Sequence, residues 1–365
     1  MSATAKGEAG YDRRQELQAF DDTKAGVKGL VDAGVTTVPP IIHHPPDSLS
    51  TSSTAATIPV IDLSGSRPDV VGQVRAAAET VGFFQVVSHG VRAGLLAEML
   101  ASVRRFHESP AEAKTPYYTR DLARKVRFNS NFDLFQSPAA NWRDTLFCQA
   151  FPDPPELEEL PAAVRDVLLE YGDEVRRLAV RVLELVSEAM GLAPGRLGKM
   201  GCADGLSVVS NYYPPCPQPH LTLGTSQHSD PAFLTVLLQD DMAGLQVLVD
   251  VEDGEKRSAW ADVPPVPGGL VINVGDLLQL VSNGRLKSVE HRVVANRSRD
   301  RARISVAAFF NADLRRTTAV YGPIEEQVSS SAPPLYRSIT VGEFLSHYDG
   351  KGLDGRPALD HLLLP

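Results

Sequence analysis

The stretch "GTSQHSDPAFLTVLLQD", residues 224–240, places a histidine and an aspartate two positions apart, His228 and Asp230, just ahead of a strongly apolar run. The run "FLTVLLQ" (233–239) has the length and composition of a buried strand, and the Asp-Pro pair before it marks a turn. An imidazole and a carboxylate separated by one residue can face a common point. The segment is therefore two-thirds of a metal site at the mouth of a buried strand, or a loop coincidence. The surrounding runs decide between the two.

Short β-rich runs broken by glycine and proline lie on either side: "LSVVSNYY" (206–213), "GLQVLVD" (244–250), "GGLVINVG" (268–275), "LLQLVSN" (277–283), "SVEHRVVA" (288–295) and "RISVAAFFN" (303–311). Asn283-Gly284 between apolar runs predicts a two-residue hairpin. So many short strands with turn chemistry between them predict an antiparallel barrel or jelly roll. Further upstream the texture changes. Residues 155–200 carry apolar side chains at three- and four-residue spacing and predict a long core-facing helix, with further helices over 67–82, ending at Gly82, and 93–109. Strands are predicted in "IPVIDLS" (58–64) and "FFQVVSHGV" (83–91), a surface helix and turn in 11–35, a Pro/Ser/Thr linker over 43–57, and mobility in residues 1–10. The organisation expected is an extension and linker over 1–57, a mainly helical region over 58–200, a jelly-roll domain over 201–320 and a C-terminal helical segment over 321–365.

Composition excludes several classes of partner. The 36 basic and 45 acidic residues leave a formal charge of −9, which argues against binding nucleic acid or anionic membrane surfaces. Cys148, Cys202 and Cys216 form no C-x-x-C pair, so neither a zinc knuckle nor a disulfide framework is expected and the thiols are read as free. The start, "MSATAKGEAGYDRRQELQ", has no apolar core of a secretory signal, and no stretch approaches the roughly 18 apolar residues of a membrane span. A cytoplasmic protein is expected.

The third ligand comes from a search through nine histidines. His43 and His44 flank the linker, His107 lies on a helix among charges, His220 is in a proline-rich loop, and His347 and His361 are near the end. His89, in "VVSHGV", reads as a structural residue closing a strand. His291 differs, because it sits in a β-type run about sixty residues beyond Asp230, and strands distant in sequence become neighbours when a barrel closes. Two histidines and one carboxylate leave open positions on an octahedral ion, which suits non-haem Fe(II) better than zinc.

Alternation along "RARISVAAFFN" puts Arg303, Ser305, Ala307, Phe309 and Asn311 on one strand face. An arginine and a serine inside a barrel are costly unless an anion meets them, and a carboxylate is the natural partner of a guanidinium. Arg297, Arg299 and Arg301 read as solvated loop charges. Asn211 and Tyr213 share a face of "SNYYPPCP" (210–217) before a Pro-Pro turn ends pairing, and Phe309 and Asn311 are expected to line the same pocket.

With His228-Ser229-Asp230, His291, Arg303-x-Ser305 and "NYYPPCP" in this order, the sequence resembles the plant 2-oxoglutarate- and Fe(II)-dependent dioxygenases. The likeness runs from "IPVIDLS" and "VGFFQVVSHGV" through "NWRDTLF" (141–147) to "RISVAAFF". It implies a double-stranded β-helix with helices packed around it. It implies iron held by His228, Asp230 and His291, with no catalytic side chain beyond the metal centre. Arg303 and Ser305 would hold the distal carboxylate of 2-oxoglutarate, near Asn211 and Tyr213, while Thr145 and Phe147 match substrate-pocket positions. O2, ascorbate as activator, a small-molecule substrate, a monomeric state and release of succinate and CO2 complete the expectation. The interval from His291 to Arg303 is two residues longer than in many members, which is read as an insertion in "NRSRDRA" (296–302). The opening "YDRRQELQAFDDTKAGVKGLVDAGV" and "IIHHPP" resemble the aminocyclopropane-carboxylate oxidase homologues, a subgroup that includes a dioxygenase of benzoxazinoid glucosides. Ethylene formation with ascorbate and a non-catalytic binding module on the same barrel are the alternative readings.

Overall fold

The computed structural model describes residues 11–50, 54–252, 256–315 and 318–365, so the mobility expected of residues 1–10 and the middle of the expected linker, 51–53, lie outside the described residues. Twelve strands build the core: β1 (Val60–Asp62), β2 (Phe83–Val87), β3 (Val126–Asn129), β4 (Asp144–Phe151), β5 (Gly205–Tyr213), β6 (Leu223–His228), β7 (Leu234–Gln239), β8 (Leu245–Glu252), β9 (Lys256–Asp262), β10 (Leu270–Val274), β11 (His291–Val294) and β12 (Arg303–Asn311). Eight of them form one sheet in the order β1-β2-β10-β7-β12-β5-β4-β3, and four form a second in the order β6-β11-β8-β9. Only the β1–β2 pair of these sheets is parallel among the described residues. Two sheets facing each other in this way make the jelly-roll core expected from the strand pattern.

The period-two alternation of each strand sorts side chains between two environments. On the outer face of the large sheet, Val208, Ile304, Val306, Val236 and Ile272 pack in one core with the helices Arg67–Thr80, Ala93–Glu108 and Leu168–Ala189. The last of these buries Tyr171, Val175, Leu178, Val182 and Val186, a stripe at three- and four-residue spacing. On the inner face, Phe83, Tyr213 and Val271 meet Leu245, Val247 and Val293 of the small sheet.

One expected strand is a helix. Residues 277–281 of the expected strand 277–283 fall in a short helix, Asp276–Val281, with Ser282 as its C-cap, and Asn283-Gly284 ends the segment instead of turning a hairpin. Both residues take left-handed backbone, φ 55° and 76°, and the Gly284 amide donates back to the Gln279 carbonyl at 2.9 Å, as at a helix C-terminus. A short apolar run fits either element, and the hairpin dipeptide and the helix stop demand the same positive φ.

The N-terminal extension is part of the fold. Leu17, Phe20, Val27, Ile41 and Ile42 form a second core with Leu134 and Trp142. Asp144, buried at the start of β4, accepts from the Val27 and Lys28 amides at 2.8 and 2.7 Å and so caps the helix Gly26–Asp32 from across the molecule. The described part of the expected linker is also seated on the barrel, because Arg292 donates to the Ser48 and Ser50 carbonyls.

His107 lies on the expected helix, but its ring turns inward, away from its charged sequence neighbours. Its ring is fully buried and stacks on Tyr212, centroids 4.9 Å apart. Burial, with the nearby Lys114 adding to it, pushes its pKa down to about 3, and burial pushes that of His44 down to about 4. An unfolded chain therefore takes up these protons first. Stability contributed by the neutral rings is complete above about pH 6.5 and falls as the pH drops towards the folded-state values. Denaturant titrations at pH 7 and pH 5 are expected to differ by about 1–2 kcal/mol for each of the two histidines, and His107→Phe should remove its share of that acid sensitivity.

Candidate active site

The antiparallel pairing of β6 with β11 sets His228 directly opposite His291. Their ring centroids are 4.2 Å apart, and Asp230, two residues past the end of β6, brings Oδ1 to 3.6 Å from Nε2 of His228 and 3.4 Å from Nε2 of His291. One donor atom from each of the three residues falls within 4.8 Å of the other two, which is the spacing of a set that could hold a metal ion. The remaining atoms of all three side chains are occupied. His228 Nδ1 donates to the Ser226 carbonyl at 2.7 Å and His291 Nδ1 to the Val289 carbonyl at 3.2 Å, which leaves both Nε2 lone pairs free. Asp230 Oδ2 accepts from Thr235 Oγ1 at 2.7 Å and Asn273 Nδ2 at 2.8 Å, which turns Oδ1 towards the imidazoles.

Electrostatics fit a cation at this point. Burial and the neighbouring His291 push His228 down to about 3, so its ring is neutral at physiological pH. Burial opposes ionisation of Asp230, but His291, His228 and the Asn273 amide together hold its carboxyl below the usual carboxylate range. Two neutral nitrogens and one carboxylate oxygen, with no thiolate, favour a hard or borderline divalent ion with open positions.

Next to this cluster the inner face of the large sheet carries rows of side chains set by register. One row runs Asn129, Thr145, Asn211, Ser305 and Gln239. The next holds Arg127, Phe147, Val209, Ala307 and Leu237, and a third Ser207, Phe309 and Thr235. At the other end Arg303 pairs with Tyr213, its guanidinium carbon 5.1 Å from the ring centroid. Arg303 is 2% exposed; Nε donates to the Met242 carbonyl and Nη2 to Gln239 Oε1, while Nη1 is buried without a partner. Among the described residues no carboxylate oxygen lies within 4.0 Å of it. Arg301, by contrast, is exposed and paired with Asp241 at 2.6 Å, so the surplus residues of the 296–302 loop leave Arg303 as the buried cation. Gly224 is required beneath Tyr213, since a Cβ there would stand 2.8 Å from the ring.

The structure thus brings His228, Asp230 and His291 into one cluster and sets Arg303, Ser305, Asn211, Tyr213, Thr145, Phe147 and Phe309 on the inner face of the large sheet. Thr145 Oγ1 donates to Asn211 Oδ1 at 3.1 Å, and the Phe147 ring is covered by Arg127 at 3.8 Å. Asn311 sits furthest along the wall, opposite Gly205, with its Oδ1 buried and unpartnered. Sequence reading missed Thr235 and Asn273, which orient Asp230, and Gln239, which positions Arg303.

A sequence profile of the 2OG-Fe(II) oxygenase superfamily matches residues 205–312, and a profile described as non-haem dioxygenase in morphine synthesis N-terminal matches 58–165. The chain is 49% identical to 1-aminocyclopropane-1-carboxylate oxidase homolog 3 of Arabidopsis thaliana, covering 96% of this chain and 97% of that protein. It is 47% identical to a 1-aminocyclopropane-1-carboxylate oxidase homolog of Solanum lycopersicum, covering 96% and 97%. Among solved structures it is similar to JOX2 in complex with 2OG, Fe and JA, with a TM-score of 0.81 and 31% identity over 93% of this chain and 98% of that one. It is also similar to the rice dioxygenase for auxin oxidation, with a TM-score of 0.69 and 27% identity over 84% and 100%. No helix among the described residues is long and apolar enough to cross a membrane.

If Asn273 and Thr235 aim Asp230, removing that aim weakens metal binding without touching a donor atom. Asn273→Ala is expected to lower Mn(II) affinity about 10- to 100-fold by calorimetric titration, with the melting temperature of the metal-free protein reported alongside.

Proposed function

Because the chain belongs to the 2OG-Fe(II) oxygenase superfamily, we propose that His228, Asp230 and His291 hold its iron and that it oxidises a small plant specialised metabolite. The protein is a dioxygenase that uses Fe(II) and 2-oxoglutarate. Its specific substrate is proposed to be a benzoxazinoid glucoside, on the strength of the likeness in the N-terminal extension. Bound iron would supply the redox chemistry, joining decarboxylation of 2-oxoglutarate to succinate and CO2 with insertion of the other oxygen atom of O2 into the substrate.

The observation that carries the reading is the convergence of the three donor side chains beside a buried guanidinium with an unpartnered N–H. Arg303 binds the distal carboxylate through parallel N–H donors, with the Ser305 hydroxyl adding a third, and Tyr213 forms the floor under the guanidinium. Asn211 lies one step nearer the middle of the wall, where the chain of 2-oxoglutarate would run. Thr145, Phe147, Phe309 and Asn311 line the substrate side. The two aromatic rings give an apolar surface for a flat substrate and exclude water, while the hydroxyl and amide offer hydrogen bonds that fix its orientation. Ascorbate acts as a reductant that keeps the iron ferrous. The protein works as a monomer in the cytoplasm.

The test is incubation with plant metabolite extract and, separately, a benzoxazinoid glucoside, with Fe(II), 2-oxoglutarate and ascorbate. A product heavier by one oxygen atom and one succinate per turnover support the reading; ethylene formed from aminocyclopropane-carboxylate without succinate overturns it. His228→Ala is expected to abolish succinate formation. Arg303→Lys, which keeps the charge but loses the two-pronged geometry, should raise the KM for 2-oxoglutarate about tenfold or more.

A further inference from the structure

The three donor side chains sit where backbone pairing runs out. His228 is the last residue of β6 and His291 the first of β11, so the facing pair closes the ladder, and Asp230 lies beyond it. The end of a ladder frays unless other bonds take over. Here a buried carboxyl does so. Asp276, which follows β10 and is 2% exposed, carries one serine on each oxygen. Its Oδ2 accepts from Ser229 Oγ at 3.0 Å and its Oδ1 from Ser288 Oγ at 2.6 Å. Ser229 is the residue between His228 and Asp230, and Ser288 belongs to the segment that leads into His291.

The backbone around Asp276 is fastened to the same place. Its amide donates to the Asp230 carbonyl at 2.8 Å, flanked by bonds from Gly275 to the Phe233 carbonyl and from Leu277 to the Ala232 carbonyl. The chains approach so closely that a Cβ at Gly275 would overlap the Ala232 carbonyl oxygen. Each serine is held independently. Tyr348, on the C-terminal helix Val341–Lys351, donates to the Ser229 carbonyl at 3.0 Å, and the Ser288 amide donates to Gln279 Oε1 at 2.6 Å. A second link between the two donor-bearing segments, from Gln227 to Glu290, is half-buried, so water competes for it. Asp276 lies in the dry interior, where hydrogen bonds are stronger and leaving one unmade costs more.

We propose that Asp276 is a positioning residue for the iron donors, which spans the end of the ladder through Ser229 and Ser288 and so fixes the segment bearing His228 and Asp230 against the segment bearing His291. This rests on the assignment of those three residues as the iron ligands made above. The Asp276 carboxyl bonds to two serines and reaches the donor atoms only through them, as links in series. A series of links is cut as completely at one end as at both. Losses from independent packing contacts add instead.

Calorimetric titration of the metal-free protein with Mn(II) tests the proposal, with the melting temperature of each metal-free variant measured alongside. Ser229→Ala, Ser288→Ala and the double variant are expected to weaken Mn(II) by one common factor, about tenfold. Asp276→Asn, which keeps the volume and one acceptor oxygen, should do the same and show no further loss when either serine is also replaced. Ser288→Thr keeps the hydroxyl and should bind within about twofold of the unmodified protein. A lowered melting temperature with unchanged Mn(II) affinity in Asp276→Asn marks a purely structural role and overturns the proposal. It is equally overturned if the two serine losses multiply in the double variant, or if Ser288→Thr loses as much as Ser288→Ala. If His291→Ala binds Mn(II) as tightly as the unmodified protein, the ligand assignment fails instead, so the two failures are separable. Should Asp276→Asn not fold, the three serine variants decide the matter by the same comparison.

Discussion

The orientation of one carboxylate organises this molecule's interior. Asp230 stands where the two sheets meet, with Oδ2 held by Thr235 of β7 and Asn273 of β10 and Oδ1 presented to imidazoles from β6 and β11. Four strands from two sheets must therefore be in register at once. A slip of one residue between β7 and β10 would send Thr235 or Asn273 to the outer face, where the helices pack, and release the carboxylate to rotate. The same registers carry the rows of Asn211, Ser305 and Gln239, so the donor cluster and the guanidinium chamber are positioned by one set of backbone pairings.

Much of the site was legible because it follows local rules. Arg303 and Ser305 declare themselves by alternation within a single strand, and His228 and Asp230 by their spacing at its mouth. What sets His291 opposite His228 is pairing between β6 and β11, a non-local fact of which the sequence showed only that His291 lies in a β-type run that a closing barrel could bring near Asp230. Thr145 and Phe147 were harder to order because "NWRDTLFCQAF" (141–151) mixes charge, hydroxyl and aromatic groups and lacks the apolar alternation of a half-buried strand. It is a strand because β3 and β5 flank it on both sides. The misread segment 277–283 shows the opposite failure, where a strong local pattern satisfied two structures and tertiary packing chose between them. His107 was misjudged for a related reason: its charged sequence neighbours occupy other faces of the helix while its own ring turns inward.

The extension before β1 illustrates how a segment that looks peripheral in sequence becomes structural. Its apolar side chains are buried by Leu134 and Trp142, and its second helix begins on a carboxylate from β4. Trp142 donates its amide to the Leu223 carbonyl of β6, so the residues that anchor the extension also bridge the two sheets.

The place of β12 in the large sheet has a consequence for biosynthesis. It lies between β7 and β5, yet it is the last of the twelve core strands to leave the ribosome. Until it arrives, the nascent chain holds two unjoined half-sheets, β1-β2-β10-β7 carrying the groups that aim Asp230 and β5-β4-β3 carrying Tyr213 and Thr145, each with a bare edge open to wrong partners. Joining of the half-sheets thus waits for β12, and a chain cut short before Arg303 would leave them without the strand that joins them.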